Sequence, residues 1–347
     1  MKILDLRDCE LSLRGYGGAA GRKVGIVIDG EPWIAKFPRT TRDLVGRHLP
    51  SYTSSPVSEY LGSHIYELLG VPAHRTELGF MEGKVVCACK DFTWPDKLLI
   101  DFKSIKNATP DELEGYERVP SDGDCIFLSD VLSAIEVSPI LSRVDGVEER
   151  FWDQFVVDAF IKNPDRNNGN WGVLLDRSGN VELAPVYDNG SSLFSKRSPE
   201  FAEERLADES LIRQDAITDV TSCYRIADPE VPRGHAIHPF RYMMTTENPD
   251  LMAAIVRFVD RCDLAAIDQL IDSVPEEAYG TVVLSDAMRS SHKTLLRRRI
   301  EEGILPAYDR AVREVGPAEV ENPGLEQAPV TSPQLPRHSA EHGGRAR

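Results

Sequence analysis

The chain has 347 residues, which at ordinary domain sizes predicts about two domains or one bilobal unit with a tail. Its composition, 41% hydrophobic and 28% charged, lies near globular averages and excludes collagen-like, wholly disordered and disulfide-stapled classes. Forty Lys and Arg against 56 Asp and Glu leave a net charge of −16, which disfavours direct nucleic-acid binding and anionic lipid surfaces. The six cysteines, Cys9, Cys87, Cys89, Cys125, Cys223 and Cys262, show no CxxC spacing and fit a reducing, cytoplasmic setting. No run approaches the ~18 apolar residues of a membrane span, so no membrane partner is expected.

In chain order, residues 23–29 and 32–37 read as strands of a hairpin turning at Asp29-Gly30-Glu31. Ser54, Ser55 and Pro56 supply a cap and a first-turn proline. Val57, Leu61, Ile65, Leu68 and Leu69 then recur at helical spacing until Gly70. Residues 75–80 and 84–88 predict a second hairpin through Met81-Glu82-Gly83, with Cys87 and Cys89 packed on one face. Beyond Phe92 helices are expected over 110–117, 127–136, 148–162, 249–261, 264–273 and 286–304. Residues 171–175 and 181–184 read as an isolated hairpin in these helical surroundings, and the proline-rich stretch from Gly316 as a disordered tail.

Four pieces carry chemistry. Gly15, Gly17, Gly18 and Gly21 precede the first strand and suit a loop whose backbone N–H groups face an anion, although a flexible turn reads equally well from glycines alone. Strand alternation puts Lys36 with Ile34 on one face, and its ammonium calls for an anionic partner such as a polyphosphate. Glu59 is the candidate carboxylate to hold it, with Glu67 as competitor. Asp165 and Asn170 stand five positions apart in a polar loop after an apolar helix, so a carboxylate can accept a hydroxyl proton while an amide oxygen ligates a divalent cation. Asp188, in Asp188-Asn189-Gly190, follows the isolated hairpin and offers a second hard oxygen ligand.

This order resembles the HipA-like serine/threonine kinases, within them the compact CtkA-like branch. The likeness rests on residues 17–23, Lys36-Phe37-Pro38, residues 51–62 and 86–92, Asn163 to Asn170 and Pro185-Val186-Tyr187-Asp188, and spans about residues 10–300. It implies an α+β, bilobal, protein-kinase-like fold, with a small β-rich lobe over 1–92, a helical lobe over 93–315 and the tail 316–347. It further implies ATP- and Mg²⁺-dependent transfer of the γ-phosphate to a protein serine or threonine, commonly with autophosphorylation. Carried over by position, Lys36 would hold the phosphates, Asp165 would be the base, and Asn170 and Asp188 would bind metal. Gly17, Gly18, Gly21 and Glu59 would complete the nucleotide site, with Lys90, Asp91 and Phe92 at a hinge near adenine. The partners implied are a protein substrate and an antitoxin-like protein. The additional N-terminal subdomain of HipA proper is expected to be missing, because the chain begins close to the glycine loop.

Departures are visible. Asn167 and Gly169 stand where many HipA proteins carry His and Lys, and no lysine follows Asp165 by two residues, which leaves Arg166 or Lys162 as sources of positive charge. Ser51, Thr53, Ser54 and Ser55 are the expected acceptors for self-modification, since no hydroxyl lies between Gly15 and Lys23. A nucleotide-binding interaction module, or an enzyme transferring phosphate or AMP to another substrate, is the alternative. His64 reads as core-adjacent, His235 and His238 as loop residues, and Arg297-Arg298-Arg299 as a solvated basic face.

Overall fold

The computed structural model describes residues 1–16, 21–109 and 126–315. Strands β1 (Leu4–Asp5), β2 (Lys23–Ile28) and β3 (Glu31–Lys36) are followed by helix α1 (Ser55–Leu68), then β4 (Thr76–Met81) and β5 (Lys84–Lys90). They form one sheet in the order β1-β4-β5-β3-β2. Both expected hairpins close with two-residue turns, Asp29-Gly30 and Glu82-Gly83, in which both residues have positive φ, as a primed turn requires. Pleating divides the side chains: Ile26, Trp33, Ala35, Phe37, Val86 and Ala88 build a small outer core. Leu78, Phe80, Cys87 and Cys89 face α1 and join the main core. Pro56 stands in the first turn of α1, but Ser54 makes no capping bond and its hydroxyl goes instead to the Ser195 carbonyl.

The second part is mainly helical. It comprises β6 (Leu98–Asp101), α2 (Phe102–Ala108), β7 (Ile126–Phe127), α3 (Leu128–Val137), α4 (Val147–Ile161), β8 (Gly172–Leu175) and β9 (Val181–Leu183). Then come α5 (Pro199–Leu206), α6 (Glu209–Arg213), β10 (Tyr224–Asp228), β11 (Val231–Ala236), α7 (Pro239–Thr245), α8 (Pro249–Arg261) and α9 (Leu264–Ser273). The chain closes with β12 (Glu277–Ala278), β13 (Thr281–Val282), α10 (Asp286–Arg298) and α11 (Leu305–Val315). From Phe151 to Ile161 helix α4 is buried on every side, as befits a central helix, while Glu148 and Glu149 in its first turn are exposed. The main core runs without interruption from α1 and the inner sheet face through α4 to α11. Among the described residues, no helix is long and apolar enough to cross a membrane.

Several expectations change. The hairpin of β8 and β9 is not isolated, because β6 pairs with β8 from Leu98↔Leu175 to Asp101↔Gly172. His235 lies on β11 rather than in a loop, with Nε2 2.7 Å from Asp228. The expected helix over 286–304 breaks into a π turn at Arg299–Ile304 and continues to Val315. Arg297 and Arg298 pair with Asp268 and Glu302, but Arg299 is fully buried. Its guanidinium donates to the carbonyls of Phe160 at 2.9 Å and Ala216 at 3.2 Å, which fastens the π turn to the end of α4. Gly17 and Gly18, the expected helix over 110–117 and the tail 316–347 lie outside the described residues.

Candidate active site

The last residue of β3 sends its side chain toward α1, as alternation requires. Lys36 Nζ lies 3.0 Å from Glu59 Oε1 and 2.9 Å from Asp188 Oδ1. Glu59 is 1% exposed. Its Oε1 also accepts the Asp188 backbone N–H at 3.1 Å. His74 Nε2 stands 3.0 Å from the same oxygen, within ion-pairing distance though not aligned as a hydrogen bond. Burial alone would raise the Glu59 carboxyl, but Lys36 and His74 outweigh it and hold the group well below the usual carboxylate range. Burial likewise opposes the Lys36 ammonium, yet Glu59 and Asp188 keep its pKa well above the ordinary value. The competitor Glu67 is exposed.

Asp188 reaches this place through backbone pairing over a long sequence distance. Residues 72–74 and 186 exchange bonds, His74 N–H to Val186 O and Val186 N–H to Pro72 O, both at 2.9 Å. Asp188 itself adopts φ +63°, a left-handed conformation that turns the following Asn189 into the core. Helix α1 approaches so closely that a Cβ on Gly62 would stand 2.8 Å from the Asn189 Cβ.

The polar loop is built around Arg166. After α4 ends at Lys162, in the left-handed region, Asn163 N–H bonds the Asp158 carbonyl at 2.8 Å. The guanidinium of Arg166 then turns inward. Nε and Nη2 donate to the two Asp158 carboxylate oxygens at 2.9 and 3.1 Å. Nη1 donates to the carbonyls of Asn170, at 3.1 Å, and Tyr187, and Nη2 also reaches Asn189 Oδ1. One buried fork thus ties the loop to the segment that carries Asp188. Asp165 is left exposed at the loop's tip, with Asn167 Nδ2 at 3.0 Å and Ser191 Oγ at 3.3 Å from its carboxylate. Asn170 Nδ2 donates to the Asp165 carbonyl at 2.7 Å.

Two adjoining chambers result. The larger, about 450 Å³, is lined by Ile34, Lys36, Lys90, Asp91, Phe92, Asn170 and Asp188, together with Tyr16 and His74. The smaller, about 70 Å³, is lined by Lys36, Glu59, Asp165, Asp188 and Ser191, with Arg22 and Arg39 at its edge. The chain therefore brings Lys36, Glu59, Asp165, Asn170 and Asp188 to one place. Gly21, at φ +79°, packs against Arg39 and lines neither chamber. Asp91 turns its buried carboxylate to local structure, accepting from Thr93 N–H at 2.9 Å and Tyr16 OH at 3.0 Å, with Arg14 Nε at 3.2 Å. Lys90 Nζ pairs with Glu31 at 2.7 Å.

Neither of the expected auxiliary cations faces these chambers. Arg166 is spent on Asp158, and Lys162 lies over the Phe194 ring, its ammonium pulled down to about 8 by burial and by Arg299. Arg22 and Arg39 occupy the edge instead, and sequence spacing carried no sign of them. His74 was equally hidden, since only tertiary packing brings it to Glu59.

The donor set suits a hard divalent cation. With its nitrogen engaged by Asp165, the Asn170 amide has its oxygen left for a ligand, and the Asp188 carboxylate lines the same chamber. Mg²⁺ asks for one or two such oxygens and takes the rest from phosphate and water.

A family described as the HipA-like C-terminal domain matches residues 15–227. The serine/threonine-protein kinase CtkA of Helicobacter pylori is 31% identical over 317 residues, 90% of each chain. The crystal structure of a Helicobacter pylori proinflammatory kinase CtkA aligns with a TM-score of 0.76 at 29% identity, over 90% of this chain and 99% of that one. HipA of Shewanella oneidensis MR-1, solved with HipB and operator DNA, aligns at a TM-score of 0.49 and 13% identity, over 87% of this chain and 68% of that one. The chain belongs to the HipA-like C-terminal domain family, as a kinase of the CtkA kind.

Proposed function

We propose that the protein is an ATP- and Mg²⁺-dependent serine/threonine protein kinase that transfers the γ-phosphate to a protein hydroxyl and to itself. The observation that carries this reading is the convergence of Lys36, Glu59 and Asp188 within 3.0 Å contacts beside Asn170 and Asp165. Lys36, fixed by Glu59, would pair with the nucleotide's phosphates, and the larger chamber would take the nucleoside past Ile34 and Phe92. Asn170 and Asp188 would hold Mg²⁺, which when bound neutralises charge on the transferring phosphoryl group. Asp165 would orient the acceptor hydroxyl and accept its proton. Cys9, Cys87, Cys89, Cys223 and Cys262 are free thiols, which supports a reducing, cytoplasmic setting.

The test is phosphate transfer followed by mass spectrometry. Asp165→Asn and Asp188→Asn should each lower turnover by about 10²–10⁴-fold while melting within a few degrees of wild type. Transfer by Asp188→Asn at the wild-type rate would refute the assignment, and a gain of one nucleotide in place of one phosphate would redirect it to AMP transfer.

A further inference from the structure

The exposed carboxylate of Asp165 has two side-chain neighbours among the described residues. Asn167 Nδ2 occupies Oδ1 at 3.0 Å, and the Ser191 hydroxyl stands 3.3 Å from Oδ2. A serine hydroxyl on the free oxygen of the candidate base is what an acceptor must present. Ser191 presents it inside the chamber that also holds Lys36 and Asp188.

The other nearby hydroxyls are committed elsewhere. Thr53 is buried, with Oγ1 accepting from Arg39 N–H at 3.1 Å and lying 2.8 Å from Ser55 Oγ. Ser54 turns to the Ser195 carbonyl. Ser192, fully buried, donates to the carbonyls of Asn189 and Ser58. Ser51 lines neither chamber. Of the acceptors expected from the sequence, only Ser55 borders the small chamber, and its hydroxyl is held against Thr53.

We propose that Ser191 is the chain's own phosphoacceptor, modified by the active site of the same molecule; this rests on the kinase reading above. Asp165 Oδ2 takes the hydroxyl proton and Ser191 Oγ forms a bond to the γ-phosphorus of ATP. The bond from that phosphorus to the β,γ-bridging oxygen breaks, and ADP leaves with the electron pair.

The experiment uses the full chain, first treated with phosphatase and then incubated with ATP and Mg²⁺ over a tenfold range of protein concentration. Dephosphorylated casein is supplied as an external acceptor, and intact mass is combined with peptide mapping. One phosphate is expected on the peptide containing Ser191, at a per-chain rate that does not change with concentration. Ser191→Thr should keep the modification at that position, and Ser191→Ala should lose it. A mass-tagged Asp165→Asn chain mixed with wild type should stay unmodified at Ser191. Phosphate on casein or on other residues of the chain, with the Ser191 peptide bare, would overturn the inference and leave the kinase reading standing. Phosphate at Ser191 of the tagged chain would overturn the intramolecular route. No phosphate on any protein would overturn both.

Discussion

Replacing Arg166 by Met tests whether one buried guanidinium holds the polar loop and the Asp188 segment together. The side chain is 2% exposed and donates five bonds, two to Asp158 and one each to Asn170, Tyr187 and Asn189. Among the described residues, Asp158 would keep only Tyr66 OH at 2.7 Å and Asn163 Nδ2 at 3.1 Å, too little to compensate a buried carboxylate. Removing one partner of a buried ion pair costs about 3–5 kcal/mol. Against a total stability of about 5–15 kcal/mol, the melting temperature should fall by on the order of 10 °C. Urea unfolding at constant m-value measures the loss directly. Asp158→Asn combined with Arg166→Met should cost less than the sum of the two single changes, since each alone strands the other group. Arg166→Lys should recover less than half, because a point charge cannot serve the fork. A loss under about 1 kcal/mol for Arg166→Met, the range of an exposed pair, would refute the clamp.

Two further changes probe other parts of the framework. Gly62→Ala would push a Cβ to 2.8 Å from Asn189 Cβ and 3.2 Å from Ser192 Oγ, so it should cost about 1–3 kcal/mol and weaken ATP-induced thermal stabilisation, whereas an unchanged thermal shift would show that α1 does not position Asp188. His292, fully buried on α10, is held down to about 3 by burial and by Arg299 and Arg289, so the neutral ring's contribution is complete above about 6.5 and is lost as pH falls from there toward 3. His292→Leu should remove an acid-side slope of up to about 1.4 kcal/mol per pH unit, and a wild-type-minus-variant difference that stays flat between pH 6.5 and 4 would refute that origin.

Local signals made much of this fold legible. Asp29-Gly30 and Glu82-Gly83 announced their hairpins because a two-residue turn needs positive φ at both positions, and α8 and α9 follow the periodicity of their apolar residues. Strand alternation sufficed to turn Lys36 toward α1. Contacts made by tertiary packing were not legible. The run Leu98-Leu99-Ile100-Asp101 is too short to show a period, so its pairing with β8 left no trace. Arginine usually marks a surface, and nothing near Arg166 or Arg299 in the chain signals the buried acceptors that draw them inward. Asp188 could be named from its order behind the hairpin, but its backbone bond to Glu59, and His74 beside that carboxylate, depend on the pairing of residues 72–74 with 186.

The clasp between Arg299 and the Phe160 carbonyl bears on how the protein can be shortened. The match to the HipA-like C-terminal domain ends at residue 227, yet the helix that delivers Asp165 has its final turn closed by a donor far downstream of that limit. A fragment trimmed to that match would strip away α7 and α8, which pack on α4, and bare its apolar sides to water. The smallest piece worth expressing therefore reaches at least to Val315, and studies on shorter truncations would be measuring a loosened loop.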